Sequence, residues 1–133
     1  MIKKVCQISL IVIMAIVIVS CKNTKQKLQE YVTTYNSTAA GFKADDVTLT
    51  TARGYINDNK IELRFETGLE PKEASKVKAN TSFPKLLKEM IHKNQIPKEL
   101  VEEGIQFDVY FLANDNTVLV KEVLNKESIA EFL

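Results

Sequence analysis

Lys60-Ile61-Glu62-Leu63-Arg64-Phe65-Glu66 is the stretch on which the fold turns. Its apolar residues, Ile61, Leu63 and Phe65, fall on one side of an extended chain, and Lys60, Glu62, Arg64 and Glu66 fall on the other. A period of two residues is that of a β-strand with one buried face. Immediately upstream, Asn57-Asp58-Asn59 has turn chemistry, because Asn and Asp tolerate left-handed backbone and bond their own main chain. Before that turn, residues 47–56 (VTLTTARGYI) are rich in β-branched and aromatic types that suit a pleated surface. Together these segments predict a β-hairpin with one face turned to the core.

The same grammar returns downstream. Residues 105–112 (IQFDVYFL) place Ile105, Phe107, Val109 and Phe111 on one face; Asn114-Asp115-Asn116 supplies a turn, and residues 117–124 (TVLVKEVL) the return strand. Helical spacing fills the remainder. Asn23 with Gln26 three residues on has the pattern of a capping box. Leu28, Tyr31, Val32, Tyr35 and Ala39 then follow at the i, i+3, i+4, i+7 spacing of an amphipathic helix, with Gly41 as its stop. Glu70-Pro71-Lys72-Glu73 opens a second helix. The spacing predicts a break at Asn80-Thr81-Ser82 and a new helical run from Pro84, with Phe83, Leu86, Leu87, Met90 and Ile91 as its apolar stripe. A short turn from Pro97 to Glu103 stops at Gly104, and Asn125 caps a closing helix over 126–133 that folds Ile129, Phe132 and Leu133 back onto the core.

The expected order is α-ββ-α(αα)-ββ-α. This is an α+β fold in which two antiparallel β-hairpins form a four-stranded sheet packed by helices, read as an antiparallel sheet in a two-layer sandwich. The two Asn-Asp-Asn turns echo one another, and Lys72-Glu73 and Lys126-Glu127 open the helices that follow. Common turn and cap preferences account for that echo without a duplication.

The first 21 residues have a different character. Met-Ile-Lys-Lys is a short positive start, an uninterrupted apolar run extends from Leu10 to Val19, and Ser20-Cys21 ends it. Positive start, apolar core and small residue at the cut follow the order of a secretory signal. The tetrad Ile18-Val19-Ser20-Cys21 resembles the lipobox of bacterial lipoproteins. The resemblance implies that Cys21 is acylated on sulfur and that the chain is cleaved between Ser20 and Cys21. Residues 1–20 would then be a leader, 21–24 a lipidated Cys with a short tether, and 25–133 a single α+β domain. The resemblance also implies a cell-envelope location. In a Gram-negative cell, Lys22 after the Cys points to the outer membrane facing the periplasm; in a Gram-positive cell the place is the outer face of the membrane. An uncleaved anchor fits less well, because the 15 residues from Val5 to Val19 fall short of the ~20 needed to span a hydrocarbon core. With almost no tether, the domain is expected to sit against the bilayer, where Lys22, Lys25 and Lys27 meet anionic headgroups.

Composition narrows the chemistry. The 133 residues carry 18 Lys plus Arg against 17 Asp plus Glu, which gives no basic excess of the kind nucleic-acid binders show. Of the two cysteines, Cys6 lies in the leader, so the mature chain has one thiol, no intrachain disulfide and no Cys/His cluster for zinc. No GxGxxG, P-loop, GxSxG or HExxH occurs. His92, the single histidine, reads as a solvated flank residue. Asp45-Asp46 and the two Asn-Asp-Asn turns lack the alternating acids, central Gly and closing Glu of an EF-hand loop. Tyr31 and Tyr35 are expected to pack their rings and keep wet hydroxyls, whereas Tyr110 faces away from Phe107 and Phe111.

Neither a catalytic constellation nor a cofactor site is legible, apart from covalent acyl chains on Cys21. The expectation is a non-enzymatic module that binds another envelope protein, as an accessory subunit or an immunity or inhibitor type. Its candidate partner surface is Arg53, Arg64, Asp108 and Tyr110. The alternative is a carrier of a small apolar ligand or lipid, with a pocket lined by Phe65, Phe83, Leu87, Met90, Phe107 and Phe111.

Overall fold

The structure, a computed structural model, describes residues 23–133. The expected leader, 1–20, together with Cys21 and Lys22, lies outside the described residues. Helix α1 spans Thr24–Thr38, and a 3₁₀ turn at Ala39–Gly41 follows it. Strands β1 (Val47–Tyr55) and β2 (Lys60–Thr67) form the first hairpin around a 3₁₀ turn. Helix α2 runs over Glu73–His92 and a short α3 over Lys98–Glu102. Strands β3 (Gln106–Leu112) and β4 (Val118–Leu124) form the second hairpin, and a 3₁₀ turn at Ile129–Phe132 closes the chain.

Local chemistry explains the ends. The Asn23 side chain accepts the Gln26 N–H at 2.9 Å while the Gln26 side chain accepts the Asn23 N–H at 3.2 Å, so both halves of the capping box are made. Asn59 and Asn116 sit at φ 48° and 69°, the left-handed conformation that Asn tolerates, and each delivers the chain into the following strand.

The four strands lie in the order β1-β2-β3-β4. Both hairpins pair antiparallel, but β2 and β3 pair in parallel, so the sheet is mixed instead of wholly antiparallel. The reason lies in the connection between them. A tight turn reverses a strand, whereas residues 68–105 cross over through α2 and α3 and return the chain to the end from which β2 began.

Two further expectations change. Helix α2 continues through Asn80-Thr81-Ser82 and through Pro84 without a break. Ser75, Ala79, Phe83, Leu87, Met90 and Ile91 form one buried stripe along it. Seating that whole stripe on the sheet outweighs the ~3 kcal/mol an interior proline costs. The closing helix is only a 3₁₀ turn at Ile129–Phe132 with no side-chain cap of its own, and Asn125 caps the turn just before it, accepting the Glu127 and Ser128 N–H groups at 3.0 and 2.9 Å.

Helices α1 and α2 pack on the same side of the sheet, α1 against β1 and α2 against β4. The core between the layers contains Ile61, Leu63, Phe65, Phe107, Val109 and Leu124 from the strands and Leu28, Phe83 and Leu87 from the helices. Gly54 lets α1 approach closely: a Cβ there would lie 2.8 Å from Leu28 Cδ2.

Candidate functional site

The register fixes what stands on the other face of the sheet. Residues paired across strands share a face. One row is therefore Arg53, Glu62, Asp108 and Val123, and the next is Thr51, Arg64, Tyr110 and Lys121. A third, at the end of the sheet, is Leu49, Glu66, Leu112 and Val118, in which Leu49 and Val118 are about half exposed and Leu112 is buried. No described helix packs on this face. The structure thus brings all four predicted surface residues together on the sheet face away from α1 and α2, with Arg64 and Tyr110 as direct neighbours.

Charge and aromatic groups alternate across it. The Tyr55 hydroxyl donates to Glu62 Oε2 at 3.2 Å, and the Arg53 guanidinium and Lys60 ammonium stand 5.4 and 4.8 Å from the Tyr55 ring centre. The Lys121 ammonium lies 5.2 Å from the Tyr110 ring centre. Contact with Tyr110, and then the charges of the Asp108 and Glu62 carboxylates, hold the Lys121 amine above its usual range. Arg53, Arg64 and Lys121 are exposed.

Asp108 departs from the expectation of an exposed contact. It is buried, 5% exposed, although it points to that face. Gln106 Nε2 donates to its Oδ1 at 2.8 Å, and Lys60 Nζ lies 3.6 Å from its Oδ2. A carboxylate so covered serves to hold the face together, and Arg53, Arg64 and Lys121 are the exposed side chains beside it, with Tyr110 half-buried. Lys121 was missed in the sequence, although the alternation of residues 117–124 puts it opposite the buried Val120.

The two edges of the sheet differ. In the β1–β2 ladder Ala52 turns its N–H and C=O away from β2. Asn36 of α1 takes both: its Oδ1 accepts the Ala52 N–H at 2.8 Å and its Nδ2 donates to the Ala52 carbonyl at 2.9 Å. The side-chain amide stands in for a neighbouring strand.

A groove runs between α1, with the turn that follows it, and the loop after α2. Tyr31, Thr34, Tyr35, Thr38, Phe42 and Pro97 are among the residues lining about 350 Å³ of it. It adjoins a more polar cleft of about 410 Å³ that Phe42 and Gln95 also line. The expected six-residue pocket is not formed as such. Phe65, Phe83, Leu87 and Phe107 are wholly buried, Phe83 packing on Phe65 and Phe111 with ring centres 5.9 and 4.9 Å apart. Only Met90 and Phe111 of the six reach the polar cleft. Such filling is the rule in a core of this size.

The hydroxyls of the groove tyrosines are bonded to protein and not simply left wet. Tyr31 donates to the Gln95 carbonyl at 2.7 Å, and the Tyr35 hydroxyl lies 2.6 Å from Thr50 Oγ1. Burial pushes the Tyr35 hydroxyl up to about 12, against a smaller opposing effect of the Thr50 hydrogen bond. Burial, and then the neighbouring Tyr35, pushes Tyr31 well above the usual tyrosine range.

His92 is exposed at the end of α2. Asp46 pairs with Lys78 at 3.0 Å, and Asp45 borders the polar cleft. Among the described residues no cluster of three or more His, Cys, Asp or Glu is placed to hold a metal ion. No described helix is long and apolar enough to cross a membrane. No protein-family model, curated protein or solved structure matches the chain.

Proposed function

We propose that this chain is a membrane-anchored envelope lipoprotein acting as a non-enzymatic protein-binding module. The observation that carries the binding role is the face of the sheet away from α1 and α2. A four-stranded sheet with its long helices on one side presents its other face outward, and here that face mixes cations, aromatic rings and the half-exposed apolar Leu49 and Val118. Aromatic and Arg side chains are the residue types enriched where proteins meet. The anchor rests on the lipobox-like Ile18-Val19-Ser20-Cys21, which leaves only Lys22 between the acylated residue and the N-cap Asn23. The domain would therefore work within about 10 Å of the lipid surface, as an accessory subunit of an envelope assembly or as an immunity or inhibitor protein.

The test is crosslinking in the native cell with the tagged full chain, beside a variant carrying Arg53→Glu and Arg64→Glu. A discrete protein adduct that disappears in the charge-reversed variant supports the reading. An adduct pattern free of any protein partner contradicts it.

The groove beside α1 favours a second reading, a carrier of a small apolar ligand, because Tyr31, Tyr35, Phe42 and Pro97 turn apolar surface into it. Native mass spectrometry separates the two: a co-purifying ligand supports the carrier, and a clean apo mass refutes it.

A further inference from the structure

On the outer edge of β4 no side chain takes both main-chain groups of one residue, as Asn36 does on β1. Gln106 directs its N–H to the Asn59 carbonyl at 2.9 Å, so the even-numbered residues of β3 bond toward β2 and Phe107, Val109 and Phe111 bond toward β4. Their register partners Leu124, Glu122 and Val120 are thereby used, and the residues between them, Lys121 and Val123, turn their main-chain groups outward. The Ser128 hydroxyl donates to the Val123 carbonyl at 2.6 Å, which agrees with that assignment and closes one position. The N–H and C=O of Lys121 and the N–H of Val123 remain, and no described side chain bonds them. An open row of this kind is a template for another strand.

We propose that the regular end of the β4 edge, Lys121 to Val123, docks an extended segment of the partner protein as a fifth strand, with an acidic side chain opposite Lys121. The mode is β-strand addition, in which main-chain bonds give affinity and alternate side chains give selectivity. This rests on the protein-binding reading above and names how the partner sits. Charge selects the occupant. Lys121 is exposed in the free row, so a second copy paired through the same edge about that residue would place Lys121 against Lys121. A carboxylate on the incoming strand would meet the ammonium and extend the Arg64–Tyr110–Lys121 row. On the β1 edge Asn36 already takes both main-chain groups of Ala52, so a strand added there would have to displace it.

The test places a photo-crosslinking residue at Val123 in the full chain in its native cell, with the same residue at Thr51 on the far side of the face. The Val123 adduct is expected to map to one partner segment with Asp or Glu two positions from the crosslinked residue. Lys121→Pro removes the outward N–H without touching the β3–β4 ladder and is expected to lower that adduct at least about tenfold. Lys121→Glu, which leaves the edge intact, is expected to lower it similarly through charge, and circular dichroism of both variants guards against loss of fold. An adduct from Thr51 with none from Val123 overturns strand addition and leaves the protein-binding reading standing. So does a Val123 adduct insensitive to both variants. An adduct of twice the chain's mass overturns the stated occupant in favour of a second copy. No protein adduct from either position overturns both readings.

Discussion

Replacing Asn36 by Ala removes a single side chain from the surface of α1 and, with it, both bonds to Ala52. Each intramolecular hydrogen bond contributes about 1 kcal/mol net, and groups left partly accessible recover some of that from water. The expected loss is about 1–2 kcal/mol. For a domain of about 110 residues this lowers the thermal midpoint by about 4–9 °C. Asn36→Asp keeps the acceptor for the Ala52 N–H but loses the donor to its carbonyl, and falls between. Ser37→Ala is the control, since Ser37 bonds only the Thr34 carbonyl of its own helix. The assay is thermal unfolding by circular dichroism with amide exchange at Ala52, which should speed up in Asn36→Ala. An Asn36→Ala midpoint within about 1 °C of the parent, or a Ser37→Ala loss as large, would refute the idea that this amide substitutes for a strand.

Three more expectations follow from the packing. Gly54→Ala drives a methyl into Leu28 Cδ2 and Val32 Cγ2 and is expected to cost about 1–3 kcal/mol, measured by urea denaturation. Pro84→Ala restores a donor for the Asn80 carbonyl inside α2 and is expected to stabilise the domain by about 1–3 kcal/mol; an unchanged midpoint would mean the helix is already adjusted to the proline. Because Tyr31 and Tyr35 are raised above 10 in the folded chain, the unfolded chain releases those protons first. Stability is therefore full below pH 10 and declines as pH rises from about 10 toward 12 and beyond. Thermal midpoints across that range should fall, and less steeply in Tyr35→Phe.

How far the sequence carries depends on the range of the interaction that decides each feature. Strand faces are local: Ile61, Leu63 and Phe65 alternate with charged neighbours, and all three are buried in the structure. The capping box at Asn23 and the left-handed turns at Asn59 and Asn116 are equally local. Strand direction is not. The parallel pairing of β2 with β3 follows from the crossover of residues 68–105, and the cue lay in the length of that connection, not in either strand. Local propensity also misreads α2, where Asn80 to Pro84 look like a break; burial of Ala79, Phe83 and Leu87 against the sheet decides otherwise. The candidate face was half legible. Alternation put Arg53, Arg64, Asp108 and Tyr110 on one face, but the covering of Asp108 by Gln106 and Lys60 requires β2 and β3 side by side, and the role of Asn36 requires α1 laid along β1.

Presentation of the domain at a membrane is the premise on which the proposed role stands. The direct measurement compares the parent chain with Cys21→Ser in cells fed a labelled fatty acid, followed by gel mobility and membrane fractionation. The expected result is a labelled, processed, membrane-bound parent beside an unlabelled Cys21→Ser chain of precursor size. Equal labelling, size and fractionation of the two chains would contradict the account.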